Sequence, residues 1–186
     1  PKGQGRGTRS FSRGKHVRVK TARGRKTSST RWLQRQLNDP FVREAQRLGY
    51  RSRAAFKLLE LDDRYGFLKK GARVVDLGAA PGGWSQIAKD RVGNSGSVVA
   101  LDLVSIEPLV GVDIVEADFF SEQSLSLLES KIDTQVDVVL SDMAAPSTGH
   151  ASTDHLRIMS LAEAAYDFAR PRLVKGGTFV TKVFQG

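Results

Sequence analysis

Two charged residues stand inside apolar segments where packing alone gives no reason for them. Lys182 lies in Phe179-Val180-Thr181-Lys182-Val183-Phe184, and Asp142 lies in Val139-Leu140-Ser141-Asp142-Met143. A lysine in an apolar strand is costly unless it is paired or functional. If both segments are strands of one parallel sheet, the two side chains meet at the same rim. A lysine held there by an aspartate can take a proton from a hydroxyl, provided burial or a second cation favours its neutral form. Lys57, in Phe56-Lys57-Leu58, is the candidate second cation. The plainer alternative is a Lys182–Asp142 ion pair that only ties two strands together.

A second constellation precedes that pair. Val74-Val75-Asp76-Leu77 runs into Gly78-Ala79-Ala80-Pro81-Gly82-Gly83-Trp84, an apolar strand followed by a glycine-rich turn and a helix start. Gly78, Gly82 and Gly83 allow a ligand to approach the backbone closely. The spacing is not the dinucleotide G-x-G-x-x-G, and no Walker lysine follows, so a pyrophosphate is disfavoured. Asp102 ends Val99-Ala100-Leu101-Asp102, 20 residues past Gly82, where a carboxylate can accept both hydroxyls of a ribose. Asp118, in Glu116-Ala117-Asp118-Phe119, can meet an adenine amino group. Each acid alone reads as a strand-end cap. In this order, without phosphate chemistry, they describe an S-adenosylmethionine site better than an NAD site. The matching reaction is attack on the methyl group by a ribose hydroxyl, which is too weak an acid to react without a positioned base.

The elements that must position these residues are legible from periodicity. Short Val-rich runs at 73–77, 97–101, 114–117, 136–141 and 178–183 alternate with helical stretches near 84–92, 121–131 and 154–170. Buried strands separated by amphipathic helices imply right-handed βαβ units, hence an α/β Rossmann-like domain with a mostly parallel sheet and helices on both faces. Its core is expected at 72–186, after a helical part at 29–66. In that part Asp39 caps a helix with Pro40 first and Gly49 after its end, and Ser52 caps a second helix. Arg43, Arg47, Arg51, Arg53 and Lys57 through this stretch read as a solvated face or an RNA-facing patch.

Charge distribution points to a polyanion. The 186 residues carry a net charge of +9, but residues 1–35 hold 12 Lys and Arg and no acid, leaving 17 of the 29 basic residues to face all 20 acids. Residues 1–28 are too poor in apolar groups to offset ordering entropy and read as a disordered basic arm. It is either a solubilising tail or an arm that neutralises RNA phosphates; a mitochondrial transit peptide fits less well, for want of an apolar face. The absence of cysteine excludes disulfides, a thiolate nucleophile and a Cys-ligated zinc site. No apolar run reaches membrane length and no signal peptide is visible. A cytoplasmic, metal-free and monomeric protein is expected. Pro1 in place of Met, and an end at Gly186 just after an apolar run, read as a piece trimmed at both ends.

Taken together the motifs resemble the FtsJ/RrmJ family of ribosomal RNA 2′-O-methyltransferases. The resemblance runs through Ser29-Thr30-Arg31-Trp32-Leu33, Arg51-Ser52-Arg53-Ala54-Ala55-Phe56-Lys57-Leu58, Asp76 to Gln86, Gly111-Val112-Asp113, Ser141-Asp142-Met143-Ala144 and Lys182-Val183-Phe184-Gln185-Gly186. It implies a class I methyltransferase fold, cofactor contacts at Gly82, Trp84, Asp102, Asp118 and Asp142, and a catalytic Lys-Asp-Lys-Glu set. Lys57, Asp142 and Lys182 match its first three members, with Lys182 as proton acceptor. In bacterial members the substrate is a uridine ribose of 23S rRNA in the large ribosomal subunit. The family's Glu and its last two strands lie beyond the end of this chain, so low activity and aggregation of this piece are expected. Ala145-Pro146 departs from a pattern that places Pro directly after Ala144. The basic arm is longer than in the shortest members.

The rivals are a 2′-O-methyltransferase of another RNA (tRNA or mitochondrial rRNA), a base or small-molecule methyltransferase, and a non-catalytic RNA-binding ribosome-assembly factor. An amino-group enzyme would want adjacent prolines and an aromatic stacker after the fourth strand, which Asp142-Met143-Ala144-Ala145 lacks. A C5-pyrimidine enzyme typically needs a cysteine nucleophile.

Overall fold

A computed structural model describes residues 30, 33–34, 37–132 and 135–183. The basic arm at 1–28, the Arg31-Trp32 part of the first motif and Phe184-Gln185-Gly186 lie outside the described residues. The described residues divide into two units, with the boundary between Gly49 and Tyr50.

In the first unit, helix α1 spans Pro40–Arg47. It starts as its sequence requires: the Asp39 carboxylate accepts the Phe41 N–H at 2.8 Å, and Pro40, which has no N–H to satisfy, occupies the first turn. The exposed Glu44–Arg47 pair adds little, as such pairs do in water.

The second unit opens with α2 (Ala54–Tyr65), and then β1 (Arg73–Leu77), α3 (Gly83–Val92), β2 (Ser97–Asp102), β3 (Val112–Glu116), α4 (Glu122–Lys131), β4 (Val136–Ser141), α5 (Ala151–Ala169) and β5 (Leu173–Thr181) follow. The strands form one sheet in the order β3-β2-β1-β4-β5, every pair parallel. Strand order reverses between β1 and β4, so the crevice beyond their carboxyl ends is where a ligand belongs.

Both faces are covered. Val74, Val98, Val138 and Leu140 pack on one side with Ala55, Leu58, Trp84 and Ile87 of α2 and α3. Val75, Leu77, Val99, Leu101 and Val139 pack on the other with Leu128, Ala165 and Phe168 of α4 and α5. Because neighbouring strand residues face opposite ways, burial on both sides demands the continuous Val-rich runs seen in the sequence.

Two expectations shift. Ser52 does not cap α2: Arg53 is the N-cap and makes no side-chain capping bond. The Ser52 hydroxyl lies instead against Gly83, where a Cβ would strike it. The fifth strand begins at Leu173 rather than 178 and ends before Lys182, which directly follows it.

Candidate active site

The strand ends at the β1/β4 crevice enclose a cleft of ≈ 290 Å³. Its lining includes Gly78, Asp102, Asp118, Asp142, Met143 and Phe119. Four of the residues singled out in the sequence therefore share one wall system. Gly82, Gly83 and Trp84 do not line it.

The cleft's floor is set by Gly78. Its φ is +73°, and a Cβ there would sit 2.7 Å from the Cα and N of Met143. Only glycine lets the turn after β1 lie this close to the segment after β4. Asp102 ties the neighbouring loops together: one carboxylate oxygen accepts the Ala80 N–H at 2.8 Å and the other the Val104 N–H at 2.8 Å. Each oxygen keeps a second lone pair for a ligand hydroxyl. Asp118, just past β3, is exposed and accepts the Phe120 N–H at 3.0 Å.

Lys182 and Asp142 meet as their strand positions require. The Lys182 backbone N–H donates to Ser141 O at 3.0 Å, extending the ladder one residue past β5. Its Nζ then donates to the Asp142 carboxylate and, at 3.3 Å, to the Asp142 carbonyl. Asp142 also lines the cleft, so one carboxylate borders both the ligand space and the lysine. Lys57 lies on α2 and is exposed, and no hydrogen bond or ion pair joins it to Asp142 or Lys182.

The segment after Met143 is also pinned. Asp154 on α5 accepts the Ser147 hydroxyl at 2.6 Å, the Thr148 N–H at 2.7 Å and the Thr148 hydroxyl at 2.7 Å. These donors hold its carboxyl well below the usual carboxylate range.

Arg51, one of the residues read as a possible RNA-facing patch, is otherwise engaged. Its guanidinium donates to the carbonyls of Glu107 at 2.5 Å, Pro108 at 2.8 Å and Pro81 at 3.4 Å. It clamps the loop after β2 to the glycine-rich turn. A planar fork of donors reaches several carbonyls at once, which a lysine cannot do. Trp84 is likewise structural in its contacts: its indole is buried beside Ala55 and Leu58 and donates to Ala54 O at 2.9 Å.

The sequence model of the FtsJ-like methyltransferase family matches residues 50–186. The chain belongs to that family. It is 59% identical over 179 residues to the ribosomal RNA large subunit methyltransferase E of Rhodospirillum rubrum, covering 94% of this chain and 68% of that one. It is 56% identical to the protein of the same name from Paramagnetospirillum magneticum, covering 98% of this chain and 77% of that one. A Plasmodium falciparum structure described as a ribosomal RNA methyltransferase superposes with a TM-score of 0.69 at 32% identity, over 74% of this chain and 80% of that one.

One polar residue of this FtsJ-like domain escaped the sequence reading. Asp76, in β1, is completely buried. The Ser85 hydroxyl of α3 donates to its Oδ2 at 2.6 Å, while its Oδ1 has no hydrogen-bond partner among the described residues. Burial pushes its pKa up to about 7, against the lowering effect of Ser85, and the carboxylates of Asp142 and Asp102 push the same way. The signal was present as an acid within Val-Val-Asp-Leu. Unfolded, Asp76 ionises near 3.8. As pH rises from there toward 7 the unfolded chain gives up its proton first, so this group lowers stability across that window and adds no further change above it. Asp76→Asn should remove that loss. Its melting temperature, compared with wild type, should gain progressively between pH 4 and 7 and level off above. A difference independent of pH would refute the assignment.

Proposed function

We propose that the chain transfers the methyl group of S-adenosylmethionine to a ribose 2′-hydroxyl of ribosomal RNA, on a uridine of 23S rRNA in the large subunit, in the cytoplasm. The observation that carries this reading is the Asp142 carboxylate, shared between the cleft and the Lys182 ammonium. It ties a proton-accepting group to a ligand site. The names of the bacterial relatives supply the class of RNA.

The cleft fits the donor's chemistry. Its walls combine Leu101, Phe119 and Met143 with three carboxylates, and a fourth, Asp76, lies buried beside Asp102 and Asp142. Apolar walls suit an adenine ring, carboxylates suit an adenine amino group and a ribose diol, and a cluster of negative charge suits a cation. Asp102 and Asp118 are assigned to the nucleoside part, Asp142 to the donor's positive centre. Gly78 provides the close floor, and Gly82, Gly83 and Trp84 are assigned to the donor through their backbone.

S-adenosylmethionine supplies an electrophilic methyl group on a positively charged sulfur. Lys182, in its neutral form, accepts the proton of the attacking 2′-hydroxyl. Asp142 aims the Lys182 amine at the cleft. Lys57, exposed on α2, is assigned as the second cation that favours the neutral form of Lys182. A positioned base of this kind contributes roughly 10²–10⁴-fold to a rate.

The deciding experiment incubates the protein with large ribosomal subunits and methyl-labelled donor, then maps the label. The expected product is one nucleotide whose ribose carries the methyl, recognised by resistance of its 3′ linkage to alkali. Label on a base would overturn the assignment.

A further inference from the structure

A second surface lies at the opposite end of the sheet from the cleft, around the strand starts. There β4 and β5 fall out of register: Val136 pairs with Leu173, yet Val138 pairs with Thr178. Residues 174–177 therefore bulge outward, with Gly176 at a φ of +82°. The bulge and the segment joining α2 to β1 enclose a hollow of ≈ 570 Å³, whose lining includes Tyr65, Lys69, Lys70, Lys175 and Asp137.

The charges in this hollow are unbalanced. Asp137 is committed to Arg73: its carboxylate accepts the Arg73 backbone N–H at 2.8 Å and the guanidinium at 3.1 Å. Lys69, Lys70 and Lys175 are exposed, and among the described residues none of them has an ion pair. Three ammonium groups around one concavity repel each other, and an incoming chain of phosphates relieves that repulsion while releasing its own counterions. Tyr65 adds a different kind of recognition. It is a 64% exposed aromatic at the end of α2, with the Arg64 guanidinium 5.2 Å from its ring centroid. An exposed ring beside lysines is a stacking platform for a nucleobase. A duplex has no free base face to offer it.

We propose that this groove is a second RNA-binding surface, which holds an unpaired stretch of the substrate RNA with a base on Tyr65 and phosphates on Lys69, Lys70 and Lys175. It rests on the RNA reading above and adds to it an anchor remote from the reacting ribose. Such an anchor acts on RNA affinity and leaves the chemical step alone.

The test uses the full chain and a labelled single-stranded oligouridylate, with binding measured across a salt series. The Lys69→Gln, Lys70→Gln, Lys175→Gln triple variant should lower the log–log salt slope by about 2, at roughly 0.7 for each phosphate that is no longer neutralised. Tyr65→Ala should weaken binding roughly ten-fold, Tyr65→Phe should retain it, and neither should alter binding of duplex RNA. S-adenosylmethionine affinity should stay unchanged and melting temperature should not fall in any variant, which shows that the fold and the cleft are intact. With ribosomal subunits the KM for RNA should rise at constant kcat. If wild type binds and methylates RNA while the variants match it in slope and affinity, the groove is a solvated lysine cluster and the proposal fails alone. If wild type neither binds nor methylates RNA, the functional reading fails and takes the groove with it.

Discussion

Lys182→Ala is expected to reduce methyl transfer by roughly 10²–10⁴-fold, the contribution of one positioned base, while S-adenosylmethionine still binds. The ammonium in question already rests on the Asp142 carboxylate at the edge of the cleft. Deleting it leaves the carboxylate free to face the cationic donor, so donor affinity should hold or rise slightly. Loss of activity alone would not separate chemistry from architecture, because the same ion pair also joins β4 to the end of β5. Lys182→Arg makes that separation. A guanidinium can keep the bond to Asp142 but does not give up its proton in proteins, so it cannot serve as a base. The arginine variant should therefore melt near wild type and remain as inactive as the alanine variant. Comparable turnover by Lys182→Arg and wild type would reduce Lys182 to a structural tie. Single-turnover assays beside calorimetric donor titrations provide both readings.

The second large effect is expected at Gly78. An alanine there meets two penalties at once. The φ of +73° costs an L side chain roughly 1–2 kcal/mol. The added methyl would also lie 2.7 Å from backbone atoms of Met143, which cannot swing aside as a side-chain end could. Forcing that gap open adds overpacking of about 1–3 kcal/mol. Since Gly78 and Met143 both line the cleft proposed to hold the donor, the relief comes from displacing one of its walls. Gly78→Ala should lower stability in urea by on the order of 3 kcal/mol and weaken donor binding by more than about ten-fold, that is, more than about 1.4 kcal/mol. Gly93→Ala is the control. Its φ is +70°, but nothing lies within 4 Å of the added methyl, so only the conformational penalty applies and donor binding should be untouched. Equal behaviour of the two variants would show that the close approach to Met143 is not required.

These two predictions differ in how far the sequence reaches. Lys182 and Asp142 could be paired from sequence because each closes a β-branched run. In a parallel sheet the ends of such runs share a rim, so the pairing follows from topology alone. The same reasoning brought Asp102 and Asp118 to the rim. The contact between Gly78 and Met143 was not legible. Glycine spacing shows where a backbone can turn tightly, but the neighbour it turns toward is separated by 65 positions and is chosen by packing.

The amino-acid sequence by itself determined the alternation of strands and helices, the parallel sheet buried on both faces, and the strand ends at which polar residues gather. Periodicity of apolar side chains is a local property, and it dictates which face each element must hide. Only the tertiary structure decided what the polar groups do. Arg51 looked like a surface cation until three carbonyls of two distant loops converged on it. The packing of Trp84 was not legible either: its indole seals α2 against α3. The fifth strand was expected from residue 178, whereas the ladder to β4 begins at Leu173, bulges there and resumes at Thr178. Asp76 was visible as an acid, but burial and the arrival of Ser85 from α3 set its proton affinity. A hydrogen bond or a desolvated charge depends on which donor, acceptor or low-dielectric wall the folded chain brings within 3 Å or so of the group. That choice is made by loop closure and packing over long sequence separations, where local pattern carries no information.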